Sequence, residues 1–189
     1  MYNAKSAAAS IRGTQNRAEG ELFEQLIEKS CKYYADKGIA YIEKTPEPFK
    51  VTKSLGKGQF QGHFTKQAQP DFKGTVKVWA AQPKNDVQEE DFKPFGKSVV
   101  FDAKATSTDK IPISALSEEQ RESLLLHHRL GAVSGVLMSF SFQKFYYLPI
   151  DVFLKAKEYN GHQYWTVAEI ERIFNPVSFT GGILRLFTE

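Results

Sequence analysis

Apolar side chains recur at Phe23, Ile27 and Tyr34 between Gln15 and Asp36, with Leu26 beside them and Gly38 just past the end, which predicts an amphipathic helix. Ala40 to Glu43 predicts a short strand, and Lys44-Thr-Pro-Glu-Pro48 breaks it, since proline removes a ladder donor and restricts its predecessor. Phe72 to Ala81 alternates as a strand, and the apolar run Ser98 to Ala105 predicts a second, mostly buried one. Gln82 to Gly96, with Pro83, Pro94 and a mixed-charge run, reads as a long connection between these two as antiparallel neighbours. Ser117-Glu-Glu-Gln120 opens a helix in capping-box form, and Gly131 ends it. Val133 to Phe140 and Phe145 to Leu148 predict a hairpin stopped by Pro149. Asp151 is expected to cap a further helix ending near Asn160-Gly161, and Thr166 with Glu169 to box another that Asn175-Pro176 closes. This order of helix, three strands, helix, two strands and small helices is an α/β layout.

A chain of 189 residues fits one domain with a sizeable core. The net charge of +3 permits nucleic-acid binding without demanding it. The single cysteine, Cys31, excludes an intrachain disulfide, so a reducing, cytoplasmic setting is the expectation. No apolar stretch is long enough to span a bilayer, so no membrane partner is expected. Residues 1–14 read as a disordered basic arm; with Lys5, Arg12 and Arg17 and no acid before Glu19, it either lies along phosphates or stays a solvated tail.

The chemistry concentrates at Asp102-Ala103-Lys104, preceded upstream by Pro70-Asp71. Alternation along a strand puts Asp102 and Lys104 on one face and Phe101 and Ala103 on the other. Strand-borne carboxylates hold a divalent cation through hard oxygens, and a lysine beside them orients water or neutralises phosphate charge, which is the chemistry of phosphodiester hydrolysis. The competing reading is a surface ion pair. The apolar company of Val99, Val100 and Phe101 weighs against it, because an unpaired Asp in a buried strand is costly. Glu24 sits at the margin of the first helix's apolar stripe, facing either a cleft or bulk water.

A second concentration lies between Phe49 and Gln69, where no acid occurs. Lys50, Lys53, Lys57 and Lys66 are interleaved there with Phe49, Phe60, His63 and Phe64. Cations for the backbone and flat rings for bases or wedging suit a DNA-contacting projection, and a flexible basic hairpin loop is the alternative. The acids Asp86, Glu89, Glu90 and Asp91 read as a solvated turn rather than as ligands.

Pro70-Asp71 followed by Asp102-x-Lys104 resembles the PD-(D/E)xK nuclease signature. Further landmarks in order resemble the RecU-type Holliday junction resolvases of Gram-positive bacteria and their phages. These are Arg17 and Phe23-Glu24, Lys44-Thr-Pro-Glu-Pro48, Gly62-His-Phe64 with Gln67, Pro70-Asp-Phe-Lys-Gly74, Phe101-Asp-Ala-Lys-Ala-Thr106, Gln120, and the segment Phe140 to Pro149. The resemblance covers residues 15 to 172. It implies a restriction-endonuclease-like core with a central mixed sheet flanked by helices: a nuclease domain over 15–176, a protruding basic stalk inserted at about 49–69, and a C-terminal extension at 177–189.

It further implies a homodimer that resolves four-way DNA junctions by paired nicks, with Mg²⁺, or alternatively Mn²⁺, as cofactor. Asp71 and Asp102 would hold the metal, the Ala103 carbonyl would add an oxygen, and Glu24 would complete the shell. Lys104 would act on the water and the transition-state charge, and Gln120 would hold the water or phosphate, with helix capping as its rival role. Arg12, Arg17, Lys44, Lys50, Lys53, Lys57, Phe60, Phe64 and Lys66 would contact DNA. Asp102 stands where the family has Glu, Pro70 where a Thr is common, and the 82–96 loop is longer than the family's turn, which suggests a divergent phage or mobile-element member. Two other functions remain open on the residues: a restriction-like nuclease acting on other DNA, and a non-catalytic junction-binding recombination protein.

Overall fold

A computed structural model describes residues 4–46, 48–64, 69–78 and 95–187. The first helix, α1 (Ala4–Asp36), begins well before Gln15. The expectation of a disordered arm therefore gives way to helical backbone from Ala4 onward; this stretch needs no apolar stripe to be helical, since its alanines have the highest intrinsic helix propensity. The later turns of α1 reach the core through Phe23, Ile27, Cys31 and Tyr34.

A mixed five-stranded sheet follows, in the order β1 (Ala40–Lys44), β4 (Phe72–Val78), β5 (Phe95–Thr106), β7 (Val133–Phe140), β8 (Lys144–Pro149). β1, β4 and β5 are antiparallel neighbours, β5 and β7 are parallel, and β7 and β8 form the expected hairpin. The parallel step needs a crossover, and α2 (Glu118–Arg129) supplies it, opened by the Ser117–Gln120 capping box. This is the α/β class expected from the sequence, with helices on both faces of the sheet.

β5 organises the two cores by alternation. Val99 and Phe101 pack with Phe72, Leu137 and α1, whereas Val100 packs with Val136, Met138, Leu124 of α2 and the small elements beyond. Those include β6 (Lys110–Pro112), paired with β9 (Tyr164–Thr166), which the sequence did not single out because each is three residues long. The segment expected as one helix capped by Asp151 is two short ones, α3 (Ile150–Phe153) and α4 (Ala156–Asn160). Asp151 lies inside α3, whose N-cap is Pro149. The Thr166–Glu169 box opens α5 (Val167–Glu171) as expected.

The C-terminal extension packs on the first helix. β10 (Phe179–Thr180) and β11 (Ile183–Leu184) form a hairpin, Leu184 is fully buried, and its carbonyl accepts the Tyr34 hydroxyl of α1 at 3.0 Å. The 79–94 connection, with its run of acids, lies outside the described residues.

The stalk forms a hairpin of its own. β2 (Phe49–Gly56) pairs with β3 (Gln59–Phe64) and with no strand of the central sheet. Its turn falls at Lys57-Gly58, where φ is 52° and 78°, the two positive values that a tight hairpin turn requires. Both readings of this segment call for a hairpin, and the hairpin is what the fold shows.

Candidate active site

β4 stops pairing with β5 at Phe72↔Phe101. Phe72 packs into the α1 side of the sheet, so Asp71, one residue earlier, falls on the α2 side. Asp102 and Lys104 lie on that same side, by their alternation with Phe101 and Ala103. The sequence pairing of Pro70-Asp71 with Asp102-x-Lys104 is therefore brought together in space. Asp71 is fixed twice: its carbonyl accepts the Thr45 N–H at 2.7 Å, and its Oδ2 accepts the Ala103 N–H at 3.0 Å.

Asp102 is fully buried. Its Oδ1 accepts Gln120 Nε2 at 3.0 Å and lies 4.0 Å from Lys104 Nζ. Burial, then the charge of Asp71, and further a side-chain hydrogen bond shared with Asp71 when one of the two acids is protonated, push its carboxyl up to about 8, against the opposing pull of Lys104. Oδ2 is buried with no hydrogen-bond partner among the described residues. Two neighbouring acids, with one buried oxygen of Asp102 left over, form a donor set that suits a hard divalent cation. The Ala103 carbonyl fits the same set: a strand residue's N–H and C=O leave on one edge, and its N–H faces Asp71.

The far end of β5 is held by the β7–β8 turn. Ser141 N–H donates to the Thr106 carbonyl at 2.7 Å, and Ser141 Oγ to the Ser107 carbonyl at 3.1 Å. Ser141 and Phe142 take φ of 52° and 53°, a left-handed conformation that costs non-glycine residues about 1–2 kcal/mol each. Phe142 offsets part of that cost by packing edge-on against Phe23 and Phe145. The strand carrying Asp102 and Lys104 is thereby anchored just beyond Lys104.

Other candidates are placed elsewhere. Glu24 Oε2 is 2.6 Å from Lys44 Nζ, with Glu28 Oε1 at 3.6 Å on the same ammonium, so Glu24 and Lys44 engage each other. Among the described residues no three His, Cys, Asp or Glu side chains form a metal-binding group. The physical reason is the sheet: α1 packs on the face opposite Asp71, Asp102 and Lys104.

Arg17 is exposed on α1, the backbone of Arg12 is helical, and Lys66 lies outside the described residues. On the stalk, register sorts the side chains that the sequence interleaves. Lys50↔His63 and Lys53↔Gln61 share one face, while Phe49, Val51↔Gly62 and Ser54↔Phe60 share the other. A Cβ on Gly62 would meet the Phe49 ring at 2.7 Å, so that ring lies over the glycine. Phe49 and Phe60 consequently do not share a surface with Lys50 and Lys53.

A mixed sheet flanked by helices, with two carboxylates and a lysine gathered where its second strand begins, defines an α/β protein with an acidic, lysine-bearing site at the sheet. The family model of recombination protein U (RecU) matches residues 18–81 and 93–184, and the chain belongs to that family. The match runs through β10 and into β11, the segment expected from the sequence to be a separate extension. Among solved structures, Hjc, a Holliday junction resolvase from Archaeoglobus fulgidus, is 14% identical; the alignment covers 81% of this chain and 93% of that one, with a TM-score of 0.42. No curated protein sequence matches the chain.

Proposed function

We propose that the protein is a Mg²⁺-dependent endonuclease that resolves four-way DNA junctions as a homodimer, by paired nicks in the course of recombination, in a reducing cytoplasmic setting. The observation that carries this reading is the convergence of Asp71 and Asp102 on one face beside Lys104, with the Asp102 Oδ2 buried and unpartnered. Membership of a family of recombination proteins supports DNA as the substrate.

Asp71 and Asp102 would hold the cation, with the Ala103 carbonyl beside them. Glu24 would join only by exchanging its present partner, Lys44. When bound, Mg²⁺, or Mn²⁺ in its place, supplies Lewis acidity toward a phosphate oxygen. Lys104, one-fifth exposed, presents its ammonium at the mouth of the site, where it stabilises negative charge growing on the scissile phosphate. Lys50, Lys53 and His63 give the stalk a polar face for the DNA backbone, with Lys57 at its tip and Arg17 on α1 as further cations. Two opposed nicks follow from a two-fold axis relating two copies of the site.

Cleavage of a synthetic four-way junction and of a matched linear duplex, each with Mg²⁺ and with chelator, tests the reading. Junction-selective, Mg²⁺-dependent nicking at symmetric positions is expected. Equal cleavage of the linear duplex would overturn the junction assignment, and tight junction binding with no cleavage in any divalent cation would leave a non-catalytic binding protein.

A further inference from the structure

The register of the sheet brings a third oxygen-bearing side chain beside the two aspartates. β1 and β4 pair as far as Lys44↔Phe72, and the Thr45 N–H then donates to the Asp71 carbonyl at 2.7 Å, so the ladder runs on by one more pair, Thr45↔Asp71. β4 and β5 pair as far as Phe72↔Phe101, which sets Asp71 beside Asp102. Thr45, Asp71 and Asp102 thus form one row across three strands. Ala40 and Ile42 pack on the α1 side of the sheet, so alternation along β1 turns Thr45 to the other side, that of the two acids.

Thr45 is only 5% exposed, and its Oγ1 is buried with no hydrogen-bond partner among the described residues. A buried hydroxyl without a partner is destabilising, and valine would fill the same space without it. Burial also keeps this hydroxyl away from DNA, so the group it serves belongs to the protein. β1 is the edge of the sheet, so its cross-strand neighbours come from β4 alone. The diagonal ones, Gln69 and Lys73, bond each other at 3.2 Å, and Glu43, two residues back on the same face of β1, accepts the Tyr41 hydroxyl at 2.9 Å. Asp71, directly opposite, remains. Its Oδ2 is taken by the Ala103 N–H of β5, and its other oxygen, Oδ1, is the acceptor left for Thr45.

We propose that Thr45 is a positioning residue that acts through Asp71: its hydroxyl donates to Asp71 Oδ1 when a divalent cation engages the two acids, and steadies that carboxylate from the side opposite Ala103. Directly paired residues of an antiparallel ladder stand about 5.5 Å apart at Cα, so rotation of the side chains alone closes the bond. A hydroxyl donated to an ionised carboxylate makes one of the stronger hydrogen bonds. The inference rests on the metal-site reading above; Thr45 itself touches neither cation nor phosphate.

The test compares Thr45→Val and Thr45→Ser with wild type and with Asp71→Asn, all as the full chain. Thermal unfolding in chelator and calorimetric Ca²⁺ binding are measured on each. Thr45→Val is expected to unfold in chelator at the wild-type temperature or up to about 4 °C above it, since it removes an unmatched polar atom from the interior. Its Ca²⁺ affinity is expected to fall about tenfold, the loss typical when an outer hydrogen-bond partner of a metal ligand is removed. Thr45→Ser keeps the hydroxyl and is expected to bind Ca²⁺ within about threefold of wild type. Unchanged Ca²⁺ affinity in Thr45→Val would overturn the proposal. So would an equal loss in Thr45→Ser, which would mark a packing role, or a Thr45→Val chain that unfolds well below wild type in chelator, which would show the hydroxyl supporting the metal-free fold. Each of these leaves the metal site itself standing, whereas wild-type protein that binds Ca²⁺ no better than Asp71→Asn would sink the site reading and the role of Thr45 with it.

Discussion

Asp71 Oδ2 accepts the backbone N–H of Ala103 at 3.0 Å, two residues beyond the last β4–β5 pair at Phe72↔Phe101. A side-chain carboxylate there takes the place of a ladder carbonyl. The bond fixes the first acid against the strand that carries the second, and it makes Asp71 part of the sheet as well as of the site.

That double role separates two substitutions at one position. Asp71→Asn keeps an acceptor for the Ala103 N–H and is expected to melt close to wild type, whereas Asp71→Ala leaves the N–H without an acceptor and costs about 1 kcal/mol or more. Both are expected to abolish nicking and to keep junction binding, since the phosphate contacts lie elsewhere. Chemical denaturation beside gel-shift and cleavage assays reads all three. Wild-type cleavage by Asp71→Asn would remove this residue from the metal site.

Lys104→Met distinguishes an ion-pair partner from a catalytic cation. Burial already favours the neutral form of Asp102, so removing a neighbour 4.0 Å away is expected to lower stability only modestly. Single-turnover cleavage is expected to fall about a hundredfold, the scale set by removing one transition-state donor. A large melting shift with full turnover per folded molecule would return Lys104 to a structural role.

The raised Asp102 carboxyl gives a signed pH dependence in the metal-free protein. The unfolded chain releases this proton near 3.8, and the native state holds it to about 8. Between these values the native state binds more protons than the unfolded one, so this group's contribution to stability declines as pH rises from about 4 to about 8 and is level outside that window. Melting curves in chelator for wild type and Asp102→Asn isolate it: their difference is expected to change across the window in favour of the variant at high pH. A difference that stays constant from pH 4 to 8 would contradict the shift. Ca²⁺, by offsetting the two carboxylate charges, is expected to raise the wild-type melting temperature most at the alkaline end.

The two faces of the stalk predict different salt behaviour. Charge reversal at Lys50 or Lys53 is expected to weaken junction binding and to reduce the slope of log K against log salt by about 0.9 for each phosphate no longer neutralised. Phe60→Ala, on the opposite face, is expected to leave that slope unchanged. A slope insensitive to Lys50 and Lys53 would take the hairpin off the DNA backbone.

The elements that carry the site were legible in the chain because their signals are local. The alternation of Val99 to Lys104 fixes which side chains share a face, the Ser117–Gln120 spacing fixes where α2 starts, and the Phe23, Ile27 and Tyr34 stripe fixes how α1 packs. Even the link between Asp71 and Asp102 could be read as a motif, although the Ala103 N–H that ties them is a backbone group with no sequence signature.

Register and layering were decided only by the fold. Lys50 and Lys53 separate from Phe49 and Phe60 onto opposite faces because pairing in the hairpin, with its bulges, sets the side of each residue. Glu24 engages Lys44 because its helix covers the far side of the sheet from the aspartates. Gln120 looked like either a cap or a holder of water or phosphate; in the fold its Oε1 caps α2 and its Nε2 donates to Asp102 Oδ1. A sequence records which groups a residue can offer, but the partner each group meets depends on chain segments that only tertiary packing brings within the roughly 3 Å reach of a hydrogen bond.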